Sequence, residues 1–377
     1  MQVYLDNAAT TWPKPQAVTE SMQRFLRESA ASPGRSAHRF SLKAAREIFE
    51  CRELLAGYFQ MPDSSRVIFT GNATQALNIA IKGVLKPGDH VITTAMEHNS
   101  VIRPLRRLEQ EGVISLSIVP CDRQGIPDSA VLKSSFRKET RMLVSIFASN
   151  VNGQIMPVED MCRMCREKGV LSLIDASQAA GIYPIRMQDL NIDLLAFSGH
   201  KKLYGPTGTG VLCVNTDEEI RSLTEGGSGS RSEHETHPDF YPDRLESGTP
   251  NTLGIAGLKA GIAFLQETGM ESLLKQQRRL MEMMNQMLEP IGKLTLYYAK
   301  DGIPMLSLNI AGMRPDEAAY SLEQEFGIMV RAGLHCAPLA HRSLGTFPQG
   351  SVRISPSCFT TEEEIAYSAK AIIQLAG

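Results

Sequence analysis

The sequence lacks what marks a binder of polyanions or a membrane span. Its 377 residues carry 39 Lys and Arg against 41 Asp and Glu, a formal net charge of −2, with no block of like charges. Such a chain projects no long-range field toward nucleic acid or an anionic membrane surface, so neither is an expected partner. No apolar run is long enough to cross a bilayer, and MQVYLDNAATTWPKP lacks a basic region followed by an apolar one. A cytoplasmic location is expected on that ground. Seven cysteines, an odd number thinly spread at 51, 121, 162, 165, 213, 336 and 358, argue against a disulfide framework and for reduced thiols. Cys162 and Cys165 form a lone CxxC within an amphipathic helical pattern from Val158 to Gly169, and no second pair has zinc spacing, so no metal is expected. No internal repeat is visible.

What is present is an ordinary enzyme-like composition, 42% hydrophobic and 21% charged, in a chain long enough for two lobes. Short apolar runs alternate with helical patterns: Arg66 to Thr70, His90 to Thr94, Met142 to Phe147, Val170 to Asp175, Leu194 to Phe197 and Gly210 to Val214. Strands of this kind separated by helices imply a mostly parallel sheet covered on both faces. The methionines of MEMMNQM, 281 to 287, read as packing on a helix face. Residues 225 to 251 are rich in Gly, Ser, Pro and His and read as a long loop between lobes. Helices and strands mix after it, suggesting a smaller α+β lobe that the first residues join. The expected division is a large domain over 17–257 and a small one over 1–16 and 258–377.

Open α/β sheets bind ligands at the carboxyl ends of their strands, and several polar clusters follow strands directly: GNAT, MEHNS, SNVNG, DASQ and SGHKK. In SGHKKLYGPTGTG, a lysine is placed to form a Schiff base, Ser198 and His200 to hold a phosphate, and the glycines to turn the backbone tightly. Taken alone, a Lys-Lys pair reads more readily as a solvated loop. Asp175, ending VLSLID with Gln178 following, is placed to keep a pyridine nitrogen protonated, or else to cap the next helix.

Together, YLDNAATT, MEHNS, SNVNG, DASQ, SGHKK, SGTPN and VRISPS resemble the class V aminotransferase family of fold type I pyridoxal-phosphate enzymes, and within it the cysteine desulfurases whose catalytic cysteine sits on a short loop. The resemblance implies a large domain with a mostly parallel seven-stranded sheet, a smaller α+β C-terminal domain, and pyridoxal 5'-phosphate as cofactor. It implies that Lys201 carries the cofactor, with Lys202 as the alternative because Lys202 lengthens the spacing before LYGP by one. His98 stacks on the ring, Asp175 pairs with its nitrogen, and Gln178 and Asn150 bond the phenolic oxygen or the substrate. Thr74, the backbone of Ala73, Ser198 and His200 hold the phosphate, and a helix N-terminus at Thr74 suits that anion. Ala73 stands where relatives often have a second hydroxyl residue. Thr249 of SGTPN reaches the neighbouring subunit's phosphate, which makes the expected enzyme a homodimer.

The cofactor alone does not select a reaction. RAGLHCAP resembles the segment that holds the desulfurase nucleophile, which assigns that role to Cys336, with Arg331 or His335 as cations that favour the thiolate. Leu334 replaces a histidine common at that place. Arg353 of GSVRIS corresponds to the residue that binds the substrate carboxylate through its planar fork, and His38, after the GRS turn, is a further candidate for the entrance. The expected reaction converts L-cysteine to L-alanine, leaves a persulfide on Cys336, and passes its sulfur to a small acceptor protein in a pathway such as iron–sulfur cluster assembly. Selenocysteine lyase activity, epimerisation or transamination are the alternatives that share the scaffold.

Overall fold

The computed structural model describes residues 1–34 and 38–377. Arg35 and Ser36 of the GRS turn lie outside the described residues. In chain order the elements are β1 (Val3–Tyr4), α1 (Gln16–Glu28), α2 (Arg39–Phe59), β2 (Val67–Thr70), α3 (Ala73–Val84), β3 (Asp89–Thr94) and α4 (Asn99–Gln110). Then follow β4 (Ile114–Val119), α5 (Ser129–Ser134), β5 (Thr140–Ile146), α6 (Val158–Lys168), β6 (Leu171–Asp175), β7 (Leu194–Ser198) and β8 (Gly210–Val214). Residues 215–251 hold no helix or strand. The chain continues with α7 (Thr252–Thr268), α8 (Met270–Leu288), β9 (Leu294–Tyr298), β10 (Leu306–Ile310), α9 (Pro315–Phe326), β11 (Ile328–Met329), β12 (Arg331–Gly333), α10 (Pro338–Leu344), β13 (Ser351–Ile354) and α11 (Glu362–Ala376).

The expected α/β architecture is present. Seven strands form one sheet in the order β2-β8-β7-β6-β5-β3-β4, parallel throughout except β8, which runs against both neighbours. Every residue of β6, β7 and β8 is buried, because each face of the sheet packs a separate apolar layer. Ile174 and Phe197 join Phe59 on one side, while Leu173 and Ala196 join Leu77 and Ile81 on the other. This two-sided burial explains why these strands read as unbroken apolar runs. The edge strand β4, ISLSIV, escapes that pattern because its serines interrupt the run and much of it is only half-buried.

A second sheet, β12-β13-β10-β9, is antiparallel, and β1 pairs in parallel with β11, so the first residues join the C-terminal lobe. Met281 and Met284 of α8 are fully buried against this lobe's strands and α11, the packing role expected of them. Cys162 and Cys165 are buried in the core on α6, and burial pushes both thiols well up, Cys162 to about 12. Among the described residues no helix is long and apolar enough to cross a membrane.

Candidate active site

The carboxyl ends of β3, β5, β6 and β7 and the C-terminal lobe enclose a pocket of about 280 Å³, just below the rough 300–1,000 Å³ range of small-ligand sites. His98, Asn150, Asp175, Gln178, Ser198, His200, Lys201, Cys336 and Arg353 all line it, with Ala73 and Thr74 at the head of α3. Twenty residues from distant parts of the chain meet here because adjacent parallel strands all end at the same edge.

Lys201 and Lys202 are separated by the structure. The Lys202 side chain turns away from the pocket into the core, where Nζ donates to Gln277 Oε1 and to Pro356 O, both at 2.9 Å. Lys201 faces the pocket, and burial lowers its ammonium to about 8, against the opposing pull of Asp175. A lysine so tuned exposes its free amine near neutral pH, as an imine-forming nucleophile must. Its backbone is anchored by the N-terminal segment: Thr11 Oγ1 donates to Lys201 O at 3.0 Å, and Lys14 Nζ to His200 O at 2.7 Å.

His98 ends the approach to α4 and caps it: its Nδ1 accepts from Ser100 N at 3.1 Å. That bond needs an unprotonated Nδ1, and burial lowers the ring to about 4, so His98 is a neutral flat wall. Beneath it, Glu97 Oε1 accepts from Thr94 Oγ1 at 2.6 Å and Ile146 N at 3.0 Å, joining β3 to β5. Burial pushes Glu97 up to about 8. Asp175 terminates β6, with Oδ1 accepting from Ser177 N at 2.9 Å and Ser177 Oγ at 2.5 Å.

The remaining groups pass a test of fit for a polar, ring-shaped, anionic cofactor. Asn150 Oδ1, Gln178 Oε1, His200 Nδ1 and Arg353 Nε are buried with no hydrogen-bond partner among the described residues, and all four residues line this pocket. Such groups cost about 1–3 kcal/mol each when left unsatisfied, so the pocket is built to meet a ligand's polar atoms. The amide nitrogens of Asn150 and Gln178 are committed to His335 O at 2.7 Å and Ala8 O at 2.9 Å, which turns their carbonyl oxygens to the ligand. Ala73 N, at the head of α3, donates to Ser198 Oγ at 3.2 Å. A helix N-terminus flanked by Thr74, Ser198 and His200 suits a phosphate.

The C-terminal lobe supplies the cations and the thiol. Arg331 and Arg353 lie directly opposite one another on β12 and β13, and both line the pocket. Like charges in that register repel, and an anion between them removes the penalty. Asp6 offsets part of it, its Oδ1 accepting from Arg353 Nη2 at 2.8 Å while Asn150 O accepts from Nη1 at 2.9 Å. The guanidinium is thereby held with Nε unengaged. Cys336 is exposed at the pocket mouth. His335 is not one of the cations beside it: burial pushes the ring down to about 2, and Nε2 lies 3.1 Å from Ser351 O, to which it donates. Arg331 and Arg353 are the cations that share the pocket with the thiol.

A family model, aminotransferase class V, matches residues 3–367. The chain belongs to the class V aminotransferase family. Among its relatives, a probable cysteine desulfurase of Methanothermobacter thermautotrophicus is 33% identical over 100% of this chain and 95% of that protein. A cysteine desulfurase of Pectobacterium carotovorum is 30% identical over 96% of this chain and 90% of its own. In structure, this class V chain superposes on the apo cysteine desulfurase of Thermococcus onnurineus with a TM-score of 0.92 at 29% identity, covering 100% of this chain and 94% of that one. The S-sulfonic acid form of the Escherichia coli cysteine desulfurase CsdA gives 0.89 at 29% identity, with the same coverage.

Two expected residues stand apart from the pocket. Thr249 is exposed on the loop before α7 and lines a separate groove with Arg52 and Glu246. His38 caps α2, accepting from Ser41 N at 3.2 Å, and does not line the pocket. Sequence reasoning missed Asp6 and Glu97, which lie inside the quoted LDNAAT and MEHNS stretches; a carboxylate within an otherwise neutral motif was the available signal. It also missed Arg331 as the register partner of Arg353, since pairing between β12 and β13 is a tertiary fact.

Proposed function

We propose that this class V protein is a pyridoxal-phosphate-dependent cysteine desulfurase, converting L-cysteine to L-alanine and retaining the sulfur on Cys336. The observation that carries the reading is one pocket holding a half-buried lysine and Asp175 together with an exposed thiol and two opposed arginines. Bound here, pyridoxal phosphate supplies an electron sink for bonds broken near the substrate α-carbon. Lys201 would hold it covalently, His98 would cover one ring face, and Asp175 would meet the ring nitrogen. Thr74, the Ala73 backbone, Ser198 and His200 would hold its phosphate, with Gln178 and Asn150 at its polar edge. We read residues 17–257 as the lobe that carries these groups. Thr249, exposed and outside its own pocket, fits the role of reaching the site of a second copy in a homodimer.

The chain's own residues then do the following. Arg353, with Arg331 opposite, binds the substrate carboxylate through its unengaged Nε edge. The Cys336 thiolate attacks the substrate sulfur: an S–S bond forms, the C–S bond breaks, and its electron pair stays with the three-carbon fragment, which takes up protons and leaves as alanine. A second thiol later removes the outer sulfur from Cys336.

The test is a product assay with L-cysteine and L-selenocysteine on wild type and Cys336→Ser. Alanine and reduced sulfur should appear in equal amounts from cysteine with wild type. Full alanine release from cysteine by Cys336→Ser would overturn the assigned nucleophile, and turnover of selenocysteine alone would move the reading to a selenocysteine lyase.

A further inference from the structure

Outside the pocket, Cys336 opens onto a second groove of about 420 Å³ that runs between α3 and α4. Residues at i, i+4 and i+8 share one face of a helix, and here both helices turn such a face to the groove: Thr74, Asn78 and Lys82 on α3, Asn99, Arg103 and Arg107 on α4. The Cys336 carbonyl accepts from Asn99 N at 2.7 Å, which fixes the thiol segment at the head of this double row. No Asp or Glu lines the groove. Arg107 pairs with Glu111, but Lys82 and Arg103, both exposed, have no carboxylate within ion-pair distance among the described residues. A chain with a net charge of −2 thus places unpaired positive charge, among the described residues, on a surface that leads to its exposed thiol.

We propose that this groove docks an acidic polypeptide segment carrying the thiol that takes sulfur from Cys336. The inference rests on the desulfurase reading above and specifies the chemistry of the acceptor. From Asn99 to Arg107 the groove extends about 12 Å, eight residues at 1.5 Å each, or about four residues of extended chain. A short run of Asp and Glu beside an acceptor cysteine matches that length and charge. A nucleic acid matches it less well, because three cations neutralise few phosphates and no Phe, Tyr or Trp lines the groove for base stacking.

The experiment uses the full-length holoenzyme and matched synthetic peptides, each with one cysteine flanked by either Asp and Glu or Lys, and serine versions for binding. Fluorescence anisotropy with the serine peptides should show the acidic one binding at least about tenfold tighter than the basic one at low ionic strength. The advantage should fade with salt, since screening shortens from about 30 Å at 0.01 M to about 3 Å at 1 M. The cysteine-bearing acidic peptide should speed alanine release in the same order. In Lys82→Glu/Arg103→Glu the preference should reverse, while alanine release supported by dithiothreitol stays at the wild-type rate and so reports an intact fold. Equal binding of acidic and basic peptides overturns the proposal, as does displacement of the acidic peptide by a single-stranded oligonucleotide of equal charge. Failure of wild type to release alanine with dithiothreitol instead overturns the desulfurase reading, and the serine-peptide binding still decides what the groove recognises.

Discussion

On the sheet side of the pocket, Lys201, His98, Asp175 and Ser198 stand at or just beyond the ends of buried strands, and each is braced by its neighbours: Thr11 and Lys14 on the lysine segment, Ser100 on His98, Ser177 on Asp175. On the opposite side, Cys336 stands on a short connection between β12 and α10, exposed, with both His335 and Cys336 in the left-handed region at φ 48° and 57°. Neither is glycine, and the left-handed conformation costs a side-chain-bearing residue roughly 1–2 kcal/mol. The loop is kept there by bonds from other elements: Asn150 Nδ2 and Asn99 N donate to the carbonyls of His335 and Cys336, and the His335 ring donates to Ser351 O. A group that must hold a ligand still is best placed on a strand end, whereas a thiol that must meet two partners in turn belongs on a raised, exposed loop. The difference predicts that the two sides fail separately.

The largest effect should come from the sheet side. Lys201→Ala should lower alanine release on the order of 10³-fold or more and abolish the visible absorbance of bound cofactor. Cys336→Ser should lower alanine release from cysteine on the order of 10²-fold while leaving that absorbance unchanged; loss of the absorbance would show that the two sides are not independent. Asp6→Asn, which loosens the Arg353 clamp, should raise KM for L-cysteine about tenfold, about 1.4 kcal/mol, with a smaller change in kcat; an unchanged KM would remove Asp6 from carboxylate binding.

Both sides should respond alike to acid. Burial lowers His98 and His200 to about 4 on the sheet side, and His335 to about 2 and His341 to about 4 on the loop side. These folded values lie below the ordinary 6.5, so as pH falls the unfolded chain takes up protons first. Stability is therefore complete above about pH 6.5 and lost as pH falls through 6.5 toward 4, with a slope of at most about 1.4 kcal/mol per pH unit for each fully buried ring. The urea midpoint should drop between pH 7 and pH 5, and a flat midpoint would mean these rings are protonated in the fold. The smallest effect on activity is expected for Lys202→Met. It should keep the cofactor absorbance and most of the activity, and cost about 1–3 kcal/mol in stability by leaving Gln277 Oε1 and Pro356 O unmet.

Much of this was legible in the residues. The parallel sheet was readable because strands buried on both faces are continuous apolar runs, and the site because polar clusters follow those runs. Cys162 and Cys165 were readable as part of an amphipathic helix, while their place in the core was shown by the fold. Three features were not legible. The divergence of Lys201 from Lys202 depends on where Gln277 and Pro356 lie, 75 and 154 residues away. The opposition of Arg331 and Arg353 depends on strand register, and the neutrality of His335 depends on burial.

By itself, then, the sequence determined which chemistries were available: an amine and a carboxylate following strands in an α/β order that puts strand ends together, and a thiol and arginines in the C-terminal part of the chain. Only the tertiary structure decided which lysine faces the ligand, which cation stands beside the thiol, and that Asp6 and Arg353 share a clamp. The physical reason is range. Periodicity and turn chemistry act over a few neighbours in the chain, whereas burial, charge pairing and hydrogen-bond satisfaction depend on residues that meet only when the chain is folded.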